Sequence, residues 1–366
     1  MKRRIATVVI AAGLLATPVA VAAEPVRVTS AVNATRDDVD PNRTYATPAL
    51  AVDPENPDHV AAVAVEIRSR TCGFLRSTNG GRTWTRPDAS PMLGAYPFCF
   101  QTETGPAQAV VAFGRNGTLY YGYAGWDTAD SISDWPMGQG GGWRGNVSVL
   151  VAKSTDFGDS WQTTVVRDAR GLQGDAQENN RPVSTLLVDT RGPEDVVYVG
   201  WAATKRDRNR PMMAVSGDAG RTWSDPIDLT GGYFEDEAVR QGIARAMRTD
   251  RTPAVNAIDF SWPEFTLDSR GTLYSIWAAR TFRGPQLDQS GAYLSRSTDG
   301  GRTFAVREIS PIPDTLYYPE WPGRPRAAPR GPCTWSMRRK ACRGPGGWTT
   351  SSTGARSTVA TPGASP

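Results

Sequence analysis

The chain has 366 residues, 39% of them hydrophobic, with 37 glycines, 28 prolines and 12 tryptophans, which suits one large domain or two ordinary ones made of short strands and tight turns. Its formal net charge of +4 belongs to the ends: of 41 basic residues, three lie in residues 1–23 and eight in 323–366, leaving 30 against all 37 acidic ones, a net of −7. That body does not seek nucleic acid, and a single histidine, His59, placed in a turn, argues against a Ser-His-Asp or Cys-His engine.

In chain order, Lys2, Arg3 and Arg4 precede an apolar run from Ile5 to about Leu15, and Val21-Ala22-Ala23 offers a small-residue cleavage site before Glu24. Residues 1–23 therefore read as a secretory signal and the mature chain as extracellular. The apolar run is too short to span a bilayer, and no later segment is long enough.

Residues 24–322 repeat one unit. Each copy opens with a residue followed by proline, at Thr47-Pro48, Gly105-Pro106, Arg181-Pro182 and Trp262-Pro263. An apolar strand, a turn and a second strand follow, as in Thr185-Leu186-Leu187-Val188 and then Val196-Val197-Tyr198-Val199. A third strand runs into a short motif and a fourth leaves it. The motif occurs as Ser77-Thr78-Asn79-Gly80-Gly81-Arg82-Thr83-Trp84, Ser154-Thr155-Asp156-Phe157-Gly158-Asp159-Ser160-Trp161, Ser216-Gly217-Asp218-Ala219-Gly220-Arg221-Thr222-Trp223 and Ser297-Thr298-Asp299-Gly300-Gly301-Arg302-Thr303-Phe304. Asp or Asn bonds to nearby backbone N–H groups, Gly takes a positive φ, the hydroxyls close the turn, and the aromatic drops into the layer beneath. Recurrence at intervals of 77, 62 and 81 residues marks a repeat architecture. Four antiparallel strands per unit make a propeller blade.

The motif is the Asp-box, or BNR repeat, and the chain resembles the sialidase (neuraminidase)-like Asp-box β-propellers that carry it. The resemblance implies an all-β propeller of four-stranded antiparallel blades, with the boxes as structural turns away from the site. Four blades are recognisable, and Tyr318-Pro319-Glu320-Trp321 opens a fifth, whereas the family ring normally has six. From Gly323 to Pro366 there is no Leu, Ile, Phe or Tyr, so residues 323–366 read as a disordered basic tail. Two origins stay open for it: a natural tail, or a departure from the reading frame near Trp321.

Strand parity puts the boxes at one end of every blade and the X-Pro starts, the strand two-to-three connections and the links between blades at the other. Long insertions fall on that second end: residues 125–145, with Trp126, Trp143 and a glycine run lacking the lysine of a phosphate loop, and residues 231–261, with Val239, Ile243 and Met247 on one side of a short helix. Arg68, Arg70, Arg181, Arg206, Arg208, Arg210, Arg280 and Arg283 gather there too, and guanidinium groups suit a carboxylate such as that of an acidic sugar.

In the sialidase family an arginine opens the first inner strand, but the matching stretch here is Tyr45-Ala46-Thr47-Pro48, with Ala46 in its place. The family's acid is an aspartate before the first box, and residues 66–73 hold none. The nucleophilic tyrosine belongs to the last blades. Glu264, Glu320 and Tyr318, at strand starts, are the catalytic candidates that remain. The expectation is an extracellular propeller that binds a glycan or a protein without hydrolysing it, with an exo-α-sialidase or related glycosidase as the alternative. No cofactor or metal is expected. Cys72 and Cys99 form a candidate disulfide in an exported chain, and Cys333 and Cys342 either pair or stay free.

Overall fold

The computed structural model describes residues 31–35, 45–66, 69–99, 109–126, 146–172, 178–205, 208–246, 258–283, 286–309, 333–336 and 339–342. Residues 1–33 and 34–366 form separate units, and the sheets belong to the second. The first blade is β1 (Tyr45–Val52), β2 (Val60–Glu66) and β3 (Thr71–Ser77). The second is β4 (Phe98–Cys99), β5 (Val110–Phe113), β6 (Leu119–Trp126), β7 (Val147–Ser154) and β8 (Gln162–Arg167). The third is β9 (Asn179–Asp189), β10 (Val196–Lys205), β11 (Arg208–Ser216) and β12 (Ile227–Asp228). The fourth is β13 (Ile258–Phe260), β14 (Glu264–Leu267), β15 (Leu273–Arg283), β16 (Gln286–Ser297) and β17 (Ala305–Glu308). β18 (Cys333–Ser336) and β19 (Arg339–Cys342) pair as a hairpin with Cys333 opposite Cys342 in register.

Among the described residues every pairing within a blade is antiparallel, and one parallel pair, Val147 with Asn179, joins the second blade to the third. Among the described residues the first blade has three strands. Beyond β3 the described residues add one bridge, Arg76 with Thr85, since Pro87 and Pro91 lack the N–H groups that a strand over residues 85–91 would need. The helix expected in the second insertion is α1 (Glu237–Ala246), begun by Asp236, whose Oδ1 accepts from Ala238 N at 2.7 Å. Val239 packs on the neighbouring core, whereas Met247 lies outside the described residues. Among the described residues no helix is long and apolar enough to cross a membrane.

Successive blades pack face to face: β1 lies against β5, β5 and β6 against β9, and β9 and β11 against β14 and β13. β6 is therefore buried along its whole length, since it has a blade on each side. One core joins the first three blades around Tyr121, Tyr123, Leu150 and Trp201. A second joins the third and fourth around Phe234, Phe260, Trp277 and Tyr293, with Trp277 and Tyr293 stacked at 5.0 Å.

The four boxes close alike. The serine Oγ accepts from the glycine N–H four residues on at 2.9, 2.8, 2.8 and 2.9 Å and donates to the Asn or Asp Oδ1. That oxygen accepts from the N–H of Thr83, Ser160, Thr222 or Thr303. Gly81, Gly158, Gly220 and Gly301 have φ between 83° and 93°, a region glycine enters without steric cost. Two of the closing aromatics reach back to the blade before. Trp161 meets Phe74 edge-on at 5.1 Å, and Trp223 Nε1 donates to Thr164 Oγ1 at 3.0 Å.

Candidate functional site

Antiparallel pairing fixes which residues share an end. Gly80 N donates to Asp58 O and Ala219 N to Asp195 O, so the boxes lie beside the turns between strands one and two. The links from β2 to β3, β6 to β7, β10 to β11 and β15 to β16 emerge at the opposite rim, and the candidate site is that rim.

The box end is tied up internally. Arg115, in the turn of the second blade, donates to the carbonyls of Thr190 and Gly192 in the turn of the third. Arg191, in the third, donates to Ser269 O of the fourth at 3.3 Å. Asp195 accepts from Arg115 N and from Tyr120 Oη at 2.9 Å, and burial together with that bond holds the Tyr120 phenol far above its usual range. The box aspartates are committed as well. Ser160 and Ser154 hydroxyls hold Asp156 down at about 2, and at Asp218 burial pushes upward but Thr222 and Ser216 outweigh it, to about 2.

At the rim each fixture differs. In the first blade Glu66 is 2% exposed, and its Oε2 accepts from Ser69 N at 2.6 Å and from Ser69 Oγ. Arg70 turns with φ 57°, its carbonyl accepts from Cys99 N at 2.7 Å, and Cys72 is bonded to Cys99 as expected. Between the second and third blades Arg167 pairs with Glu178 at 2.7 Å. Asn180, 1% exposed, donates to Val147 O and accepts from Trp201 Nε1, both at 3.0 Å. Nearby, Tyr96 Oη donates to Asp168 at 2.8 Å under the Arg170 guanidinium. Burial and that carboxylate push the Tyr96 phenol up to about 12.

The residues singled out in the sequence fall into three groups. Glu264 sits at the junction of the third and fourth blades, where its Oε2 accepts from Thr185 Oγ1 at 3.0 Å and Pro263 O accepts from the same hydroxyl at 3.1 Å. Partial burial raises its carboxyl and the Thr185 bond opposes that, although the residue as a whole keeps more than a third of its surface. Arg210 pairs with Asp228 at 3.5 Å and lies 5.2 Å over the Phe260 ring, so it bridges the third and fourth blades. Trp126 is 4% exposed and belongs to the core, opposite Val147 and Phe98 in register. Arg181, Arg208, Arg280 and Arg283 occupy rim ends of β9, β11 and β15 by backbone register. Glu320, Tyr318, Arg68, Arg206 and Trp143 lie outside the described residues.

One feature was not anticipated: a cleft of about 620 Å³ along the outer edge of β3, lined by Thr71, Phe74, Leu75 and residues 84–91. The sequence signal for it is the pair Pro87 and Pro91, where the second blade has the strand Gln162–Arg167. Among the described residues no cluster of His, Cys, Asp and Glu could hold a metal ion.

No known family profile matches the sequence, and no curated protein matches it. Solved structures similar to it include a protein of unknown function from Dyadobacter fermentans, 16% identical, covering 73% of this chain and 69% of that one with a TM-score of 0.45. A Penicillium chrysogenum α-L-arabinanase complexed with arabinobiose is 13% identical over 72% of this chain and 66% of its own, with a TM-score of 0.43. The intramolecular trans-sialidase from Ruminococcus gnavus is 11% identical over 73% and 70%, with a TM-score of 0.41. By its own four boxes and the antiparallel sheets they close, the chain has the fold of the sialidase-like Asp-box β-propellers.

Proposed function

We propose that this is an exported propeller that recognises an extracellular ligand, an acidic glycan above all, at the rim opposite its Asp boxes, without hydrolysing it. The division of polar groups between the two ends carries this reading. At the box end the serines, the aspartates and the cross-blade arginines are bonded to one another or to backbone. The rim collects the long connections and the ends of the arginine-bearing strands, where loops on a rigid scaffold bind ligands. Planar guanidinium groups there match a sugar carboxylate.

Binding without turnover is favoured by two residues. Ala46 occupies the position of the family's first carboxylate-gripping arginine. Glu264, the catalytic candidate among the described residues, is hydrogen-bonded into a blade junction. A glycan array probed with the full chain tests the proposal: binding to acidic glycans, lost in Arg206→Ala/Arg208→Ala with the melting temperature unchanged, is the expected result. Turnover of a fluorogenic sialoside, abolished by Glu264→Gln, would establish the hydrolase instead. Binding to a protein partner and to no glycan would assign the rim to protein recognition.

A further inference from the structure

The junctions between blades follow one rule, and among the described residues the rule leaves two matching faces uncovered. At each junction the inner strand of a blade presses two residues onto the blade before it. In the fourth blade these are Phe265 and Leu267, whose neighbours lie in the core shared with the third. The receiving position is on the second strand, three residues beyond the one paired with the box serine. That position is Gly122 in β6 and Gly200 in β10, following the pairs Leu119 with Ser154 and Val197 with Ser216. A Cβ on Gly200 would lie 2.7 Å from the Phe265 ring, and one on Gly122 would lie 3.8 Å from Leu186, the third blade's counterpart of Phe265, and 3.3 Å from Val183.

In the first and fourth of the described blades these positions are exposed. Leu273 pairs with Ser297, so the receiving position of the fourth blade is Ile276, and it is 46% exposed. Val52 pairs with Val60 as Leu267 pairs with Leu273, so the pressing residues of the first blade are Leu50 and Val52, exposed by 60% and 49%. The equivalent residue of the first blade itself, Val63, is fully buried against the second. A β-branched side chain at the receiving position is therefore compatible with a packed junction.

The arginine connectors give a second, independent sign. Arg115 and Arg191 each cross to carbonyls in the next blade's first turn. Arg270 holds the same place in the fourth blade, is exposed, and has no next turn to reach among the described residues. The equivalent turn of the first blade offers the Pro54 carbonyl where Thr190 and Ser269 offer theirs, with Glu55 and Asp58 exposed beside it. Charge and shape thus match across the two open faces.

We infer that the open face of the fourth blade docks the open face of the first blade of a second copy of this chain, head to tail. Leu50 and Val52 of one copy pack on Ile276 of the next, and Arg270 reaches the Pro54 carbonyl between Glu55 and Asp58. Such a heterologous contact repeats, so assembly continues into a ring or a filament.

Sedimentation of the purified full chain over a concentration series tests this. The wild type is expected to gain mass with concentration and to pass beyond two chains. Leu50→Arg and Ile276→Arg, both at exposed sites, are each expected to be monomeric with unchanged circular dichroism. Mixed in equal amounts they retain one intact pair of faces, so they are expected to form a dimer and stop there. Arg270→Glu is expected to weaken association by roughly ten-fold or more, and high salt to do the same. A wild type that stays monomeric throughout would overturn the inference and point to a further segment of the chain as the cover. A wild type that associates while the mixture remains monomeric would overturn the head-to-tail geometry. If both single variants associate as the wild type does, the contact lies elsewhere.

Discussion

The two ends of the blades solve the same problem by different means. At the box end one device is used four times: a buried serine, an Asn or Asp and a left-handed glycine, with bond lengths repeating to about 0.1 Å from blade to blade. Among the described residues the rim has no motif repeated in every blade. A disulfide holds β3 to β4, the Asn180 amide holds Val147 and Trp201, and the hydroxyls of Ser184 and Thr185 hold Pro263. Repetition means that the box end answers only to the fold. The unrepeated rim is free to vary, which is the condition for a binding surface.

Breaking the covalent tie should have the largest effect. Cys72 and Cys99 close a loop of 27 residues in sequence separation, so Cys72→Ser/Cys99→Ser should cost about 3–4 kcal/mol by loop entropy, read from a denaturant titration. A loss confined to a few tenths would mean that the rim of the first two blades is held by packing alone. Next comes a single box. Ser216 is fully buried, and Ser216→Ala leaves the Gly220 N–H without its acceptor. The expected cost is about 1–3 kcal/mol. Because the boxes are alike, Ser154→Ala and Ser297→Ala should fall in the same range, and a wide spread would break the equivalence.

Acid should separate the box aspartates from Glu264 by sign. Asp156 and Asp218 titrate near 2 in the fold, and Asp299, held by the Thr303 and Ser297 hydroxyls, lies lower still. An unfolded aspartate titrates at about 3.9, so these groups stabilise the fold fully above that pH, and the contribution is lost as the pH falls towards 2. Glu264 at the rim behaves oppositely, since burial raises it: ionisation penalises the fold once the pH passes the ordinary glutamate value. Melting temperatures should therefore drop below pH 4 in the wild type and drop less in Asp299→Asn, while Glu264→Gln should gain stability only above pH 5. A Glu264→Gln variant that loses stability at neutral pH would contradict this sign. The smallest effect concerns Ala219, at φ 58° where the first and fourth boxes have Gly80 and Gly300. Ala219→Gly should stabilise by about 0.5 kcal/mol, the strain released less the added chain entropy.

How much of this could be read beforehand follows from how local each feature is. The boxes were legible because every bond in them joins residues within four positions, and so were the strand order and the Cys72–Cys99 pair. The short helix was legible from Val239 onward. Trp126 was not: it closes a strand buried on both faces, so alternation gave no sign that it turns inward. Arg210 looked like free rim charge because its partner, Asp228, is brought near only by the pairing of β11 with β12. That residues 85–91 form no strand beside β3 was written in Pro87 and Pro91, but the repeat pattern argued for a strand there.

Hydrogen exchange on the full chain, with and without a bound acidic glycan, tests the central claim most directly. Protection is predicted in the rim connections, residues 67–70, 127–145 and 206–207, with the four boxes unchanged. Protection concentrated at residues 77–84, 154–161, 216–223 and 297–304 would contradict it.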